Sequence, residues 1–119
     1  MSGKQDVDAL ADSVLSHLRK MFNTRQGHVL TQPEYGLPDV THLVQNLPEM
    51  IRVSSTAIQN SIERFEPRLR HVVVRGIPIP EGDMNLWFEI RAELVTDQEE
   101  VTVSFQTRVN ASGRVDIKE

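Results

Sequence analysis

Ser61-Ile62-Glu63-Arg64-Phe65-Glu66-Pro67-Arg68-Leu69 is the stretch where a helical repeat meets a proline and a strand-like repeat takes over. Pro67 has no backbone N–H to donate and pushes Glu66 out of the α region, so a helix arriving here is predicted to stop at about Phe65. Upstream, Met50, Ile51, Ser54, Ala57, Ile58, Ile62 and Phe65 recur at helical spacing and form one apolar stripe. Asn46-Leu47-Pro48-Glu49 supplies its start: an Asn cap, a proline in the first turn and a Glu three places after the cap, as in a capping box. Glu66 and Arg68, two apart on what reads as extended backbone, point to the same side and offer a carboxylate and a guanidinium fork as a unit. Such a unit is either a docking device or an internal clamp.

Downstream the period changes to two. Leu69 to Val74 is a β-branched run that reads as a strand buried on both sides near its end, and Gly76 to Asp83 is a proline-rich turn region. Leu86, Phe88, Ile90, Ala92 and Leu94 alternate with Trp87, Glu89, Arg91, Glu93 and Val95. After the turn Thr96 to Glu100, Val101, Val103, Phe105, Thr107 and Val109 alternate in the same way, so the two segments are expected to pair as an antiparallel hairpin with matched apolar faces. A last short strand, Arg114 to Ile117, follows the turn Asn110-Ala111-Ser112-Gly113.

In the N-terminal half, Val7, Leu10, Ala11, Val14, Leu15, Leu18, Met21 and Phe22 predict a helix from Asp6, with Asp6 as its cap and Arg19 and Lys20 at its C-terminal end. Its other face carries Asp8, Asp12, Ser13 and Lys20, which suits a core-facing helix rather than a lipid-facing one. Residues 1–5 read as a flexible N-terminus and 6–119 as a single domain. Residues 23–38 lack periodicity and form a loop, expected to be ordered by burying Tyr35 and Leu37, with Gly36 free to take a positive φ. Pro38-Asp39 sets up a cap for a short helix over Val40 to Gln45. The expected fold is α+β, three N-terminal helices packed on a small antiparallel sheet of three to four strands.

Composition narrows the chemistry. The 119 residues carry 13 basic and 17 acidic side chains, net −4, which opposes sequence-independent nucleic-acid binding. The absence of cysteine removes disulfides and thiolate sites and suits a reducing compartment. No apolar run is long enough for a membrane span, and Met1 to Asp6 lacks the apolar core of a signal peptide. His17, His28, His42 and His71 are too far apart for a local metal motif, and no phosphate loop, nucleophile elbow or dinucleotide fingerprint occurs, so no metal, cofactor or small-molecule substrate is expected. Glycoside hydrolysis needs one carboxyl raised by apolar burial, yet Glu63, Glu66 and Asp39 flank basic residues, so none is read as catalytic.

Phe65-Glu66-Pro67-Arg68-Leu69, after a long amphipathic helix and before β-rich segments, resembles the Glu-Pro-Arg motif of the small baseplate wedge proteins of contractile injection machines. Asn23-Thr24-Arg25-Gln26-Gly27 with Tyr35-Gly36-Leu37-Pro38-Asp39 looks like the lead-in of the type VI secretion members, the TssE proteins, and the likeness spans about residues 10 to 117. The resemblance implies a structural subunit that docks the baseplate wedge to the start of the contractile sheath, on the cytoplasmic side of a Gram-negative envelope. Its implied partners are other baseplate wedge subunits and sheath proteins, with no nucleic acid and no direct membrane insertion. The implied partner-binding residues are Glu66, Pro67, Arg68, Tyr35, Gly36, Leu37, Pro38 and Asp39. An alternative is a regulator, because an anti-adaptor that protects a stress sigma factor from proteolysis shares the fold and a similar Glu-Pro-Arg. That protein is not expected to carry Tyr35 to Asp39. A lysozyme-like label in the family gives a third reading, a hydrolase, which the carboxylate environments oppose.

Overall fold

The computed structural model describes residues 3–27, 31–32 and 34–119. The expected roles of Met1, Ser2, His28 and Pro33 lie outside the described residues, as do Val29 and Leu30. Helix α1 spans Gly3–Phe22. It starts three residues before Asp6, which therefore sits in the first turn and favours the positive end of the helix dipole instead of capping it. Helix α2 spans Leu47–Phe65, and Asn46 caps it by accepting from the Glu49 N–H at 3.2 Å. The reciprocal half of the capping box is not made, because the Glu49 carboxylate takes Arg52 and the Asn46 N–H donates to Leu43 O.

Only two α-helices form among the described residues, not three. The segment expected to be a short helix holds a single 3₁₀ turn, Thr41–Leu43. Asp39 Oδ1 accepts from both the backbone N–H and the hydroxyl of Thr41, at 2.9 and 2.8 Å, a local turn that competes with helical bonding. With Asn46 already committed to α2, the segment is too short to overcome the cost of nucleating a helix.

Four antiparallel strands, β1 (Leu69–Ile77), β2 (Leu86–Val95), β3 (Glu100–Val109) and β4 (Val115–Lys118), form one sheet in sequential order. The central hairpin pairs Phe88 with Thr107, Ile90 with Phe105 and Ala92 with Val103, the register that matching the apolar faces predicts. β1 departs from the simple reading of its sequence. His71 and Val72 together face the single residue Ala92, and His71 takes a φ of 53°, a bulge that flips the alternation. Val72 consequently points into the core while Val73 is 58% exposed. The run is therefore not buried on both sides: β1 is an edge strand, and it continues through Gly76 and Ile77 into what reads as turn.

Both helices cover one face of the sheet, α2 beside β1 and α1 beside β4, and the core between them joins Val14, Leu18, Met21, Ile58 and Ile62 to Phe88, Ile90, Leu94 and Phe105. The outer edge of β4 is sealed by α1. Asn23 exchanges two hydrogen bonds with the Val115 backbone at 2.8 and 2.9 Å, and Arg19 donates to Ile117 O. One polar atom in the core is unmatched: the Thr107 hydroxyl has no hydrogen-bond partner among the described residues. Thr107→Val should accordingly raise stability by about 1 kcal/mol, seen as a higher urea midpoint at an unchanged m-value. An unaltered or lower midpoint would show that the hydroxyl is satisfied by water.

Candidate functional site

Where α2 ends, the chain does not leave extended as its sequence suggests. The Leu69 N–H donates to Glu66 O at 3.2 Å, closing a turn with Pro67 at its second position, where the fixed φ of proline fits. The turn folds Arg68 back onto Glu66. Glu66 Oε2 accepts from Arg68 Nε at 2.9 Å and Oε1 from Arg68 Nη2 at 2.8 Å, a bidentate pair, and the Arg68 backbone N–H adds a bond of 3.2 Å. His17 of α1 completes the shell, with Nδ1 2.9 Å from Oε1. A carboxylate only accepts, so Nδ1 donates to it, and Nε2 on the other side of the ring is hydrogen-bonded with the Tyr35 hydroxyl at 3.3 Å. Arg68 Nη1 also donates to Ser13 Oγ at 2.8 Å, which ties α1 to the turn a second time.

Glu66 is 1% exposed and Arg68 34%. Burial pushes the Glu66 carboxyl up, but the hydrogen bonds from Arg68 and His17, with the Arg68 charge, together outweigh it and hold the group below the usual carboxylate range. Burial, helped by the Glu66 charge, raises the Tyr35 phenol. Of the two arrangements open to the pair, the structure shows the internal clamp. Pro67 is exposed, and a partner would meet Pro67 and the outer part of Arg68 rather than the Glu66 carboxylate.

The Tyr35 to Asp39 segment is split between two places. Tyr35 joins the clamp and sets its ring edge-on to Phe65 at 5.1 Å between centroids. Gly36 is pinned on α2, where its carbonyl accepts from the buried Ser61 hydroxyl at 3.3 Å. Leu37 N–H donates to Thr24 O at 2.9 Å and Leu37 O accepts from Gln26 N–H at 3.1 Å, a parallel bridge that orders the loop. Leu37, Pro38 and Asp39 then line a separate groove. Gly36 has φ 99°, and a Cβ there would lie 2.1 Å from Thr24 O. Gly36→Ala should therefore cost about 2–3 kcal/mol, limited by the free energy of detaching the loop, and amide exchange should accelerate at Leu37 while α2 stays protected. Unchanged protection at Leu37 would contradict this packing.

His71, Glu93 and Glu100 bring ligand atoms within 4.8 Å of one another on the sheet surface, a convergence that sequence spacing does not reveal. His71 Nδ1 is 2.7 Å from Glu93 Oε2, and Glu100 is also paired with Arg70, so the trio is accounted for as an ion network at the bulge. No helix among the described residues is long and apolar enough to cross a membrane.

Residues 8–99 match the family described as baseplate wedge protein gp25. The chain belongs to that family. No curated protein matches significantly. Among solved structures, a chain of the baseplate complex from the type VI secretion system shares the fold, with a TM-score of 0.69 over 90% of this chain and 99% of that one at 21% identity. This baseplate wedge protein is thus a structural baseplate component, and its family match contains both Glu66-Pro67-Arg68 and Tyr35 to Asp39. Sequence reading missed Ser13 and His17 as members of the site. Their spacing of four, with His17 three after Val14 and four before Met21, places them at the border of the buried stripe, the one signal that could have found them.

Proposed function

We propose that the chain is the wedge subunit of a type VI secretion baseplate, docking the wedge to the start of the contractile sheath at the cytoplasmic side of the envelope. The observation that carries this reading is the joining of the two motif segments, through Tyr35, His17 and the Glu66–Arg68 clamp, into one rigid corner that presents Pro67 and the outer part of Arg68. Glu66 contributes by fixing Arg68, and Gly36 and Leu37 by ordering the loop that carries Tyr35, while Pro38 and Asp39 face the neighbouring groove. Strand addition is a second means of contact. β4 pairs only with Gln106 to Val109 and its own outer edge is occupied, and on β1 the Val74 N–H is taken by the Gln59 side chain of α2, so the rest of the β1 outer edge and the Glu100 to Phe105 part of β3 are the stretches able to accept a partner strand.

The subunit acts without hydrolytic chemistry. Both Glu66 and Asp39 are held below the usual carboxylate range, the opposite of what a general acid requires, and this supports a purely structural role. Purified protein should leave a peptidoglycan suspension turbid; clearing that disappears in Glu63→Gln or Glu66→Gln would overturn this part. The docking role is tested by co-purification with tagged baseplate subunits and by imaging sheaths in cells. Wild-type protein should be retained, and Pro67→Glu, an exposed change, should reduce both retention and sheath number at normal protein levels. Full sheath assembly without the chain would remove the proposal.

A further inference from the structure

An apolar groove of about 450 Å³, which shares no residue with the clamp, opens between the start of α2 and the turns of the sheet. Ile58, Leu86 and Val109 are among its lining residues. Its rim holds Val44, Leu47 and Met84, exposed by 63, 42 and 84%, which are three of the four large exposed hydrophobics among the described residues. A small molecule on the floor would leave that rim wet, whereas a polypeptide segment would cover it. Leu86, Val109 and Val115 already pair with one another in the sheet, so an extended segment lying here has no free ladder to join. A helix, which satisfies its own backbone, fits instead.

The groove continues past Arg25 into a smaller cleft of about 220 Å³ that Arg25 shares with Arg114. Arg25 lies so close over Gly113 that a Cβ there would sit 2.2 Å from its Nη2. The other polar side chains of the cleft are engaged: the Asn23 amide holds Val115 and the Ser112 hydroxyl holds Asn110. Asp39 feels the Arg25 charge, but its Oδ1 is taken by Thr41, and Asp116, near Arg114, pairs with Arg108. Neither Arg25 nor Arg114 forms an ion pair among the described residues, on a chain whose net charge is −4. We infer that this face receives an amphipathic helix of a protein partner, apolar along the groove and acidic at the end that reaches Arg25 and Arg114.

The test uses the full chain and fluorescein-labelled amphipathic peptides of leucine, alanine and glutamine, carrying a glutamate pair at one end or the other, with twins in which lysines replace the glutamates. At low ionic strength the better glutamate peptide should bind about tenfold more tightly than its lysine twin. Arg114→Glu, an exposed change, should flatten or reverse that preference. Val44→Asp with Met84→Asp, both at exposed positions, should weaken either peptide by about tenfold or more, and backbone chemical-shift changes on titration should map to the groove. Equal binding of the twins, no binding by any peptide, or full binding by the Val44→Asp, Met84→Asp variant overturns the inference. A concentration-dependent dimer abolished by that double change also overturns it, because the occupant would then be a second copy of the chain. The peptide result is independent of sheath docking at the Glu66–Arg68 corner, so failure of one reading is distinguishable from failure of the other.

Discussion

Arg68→Ala should lower the unfolding free energy by about 3 kcal/mol at neutral pH, the lower end of the usual cost of stranding a buried charge. Removing the guanidinium takes two charge-assisted bonds from a carboxylate that is 1% exposed, leaving it His17 and one backbone N–H. The low end applies because Arg68 is itself 34% exposed and water can follow the side chain out. The sign of the pH dependence is set by the direction of the Glu66 shift. Its folded-state carboxyl is held below the unfolded value, so the pair contributes stability above the ordinary carboxylate range and loses it as pH falls through that range and below. The gap in urea midpoint between wild type and Arg68→Ala should therefore be widest near neutrality and narrow in acid. A gap that is small at neutral pH, or the same at both, would show that the clamp does not hold the fold. Loss of sheath assembly in Arg68→Ala cells has to be read against protein level, since folding and docking fail together in that variant.

Phe105→Ala should cost roughly 3–5 kcal/mol, the range for emptying a fully enclosed phenylalanine site. Phe105 is 1% exposed, faces Ile90 across the hairpin and lies in the single core that joins both helices to the sheet. β-sheet backbone on both sides limits how far the cavity can collapse. Phe65 closes the apolar stripe of α2 but sits only half-buried at the helix end, with its ring packed edge-to-face with Tyr35 and the Arg64 guanidinium 5.5 Å from its centre. Phe65→Ala should cost less, about 1–3 kcal/mol. Equal losses for the two variants in denaturant unfolding would mean that the loop around Tyr35 closes over Phe65 more tightly than this structure has it.

Several features were legible in the residues because each is decided within a few positions of the chain. Pro67 ends α2 at Phe65 by steric exclusion and a missing donor, Asn46 and Pro48 start it, and the alternation of Leu86 to Leu94 against Val101 to Val109 leaves one hairpin register that buries both apolar faces. The pairing of Glu66 with Arg68 was also visible, since a separation of two brings them within reach in a turn as well as in a strand. Only the tertiary structure decided that the pair turns inward. Its burial depends on His17 and Ser13 arriving from α1, 49 and 55 residues away, and no local pattern encodes that approach. The bulge at His71, which turns Val73 outward, the single turn at Thr41–Leu43 and the meeting of Arg25 with Arg114 are of the same kind. Each is a compromise between a weak local preference and packing against elements distant in sequence, and when local preferences are worth only tenths of a kcal/mol, the packing decides.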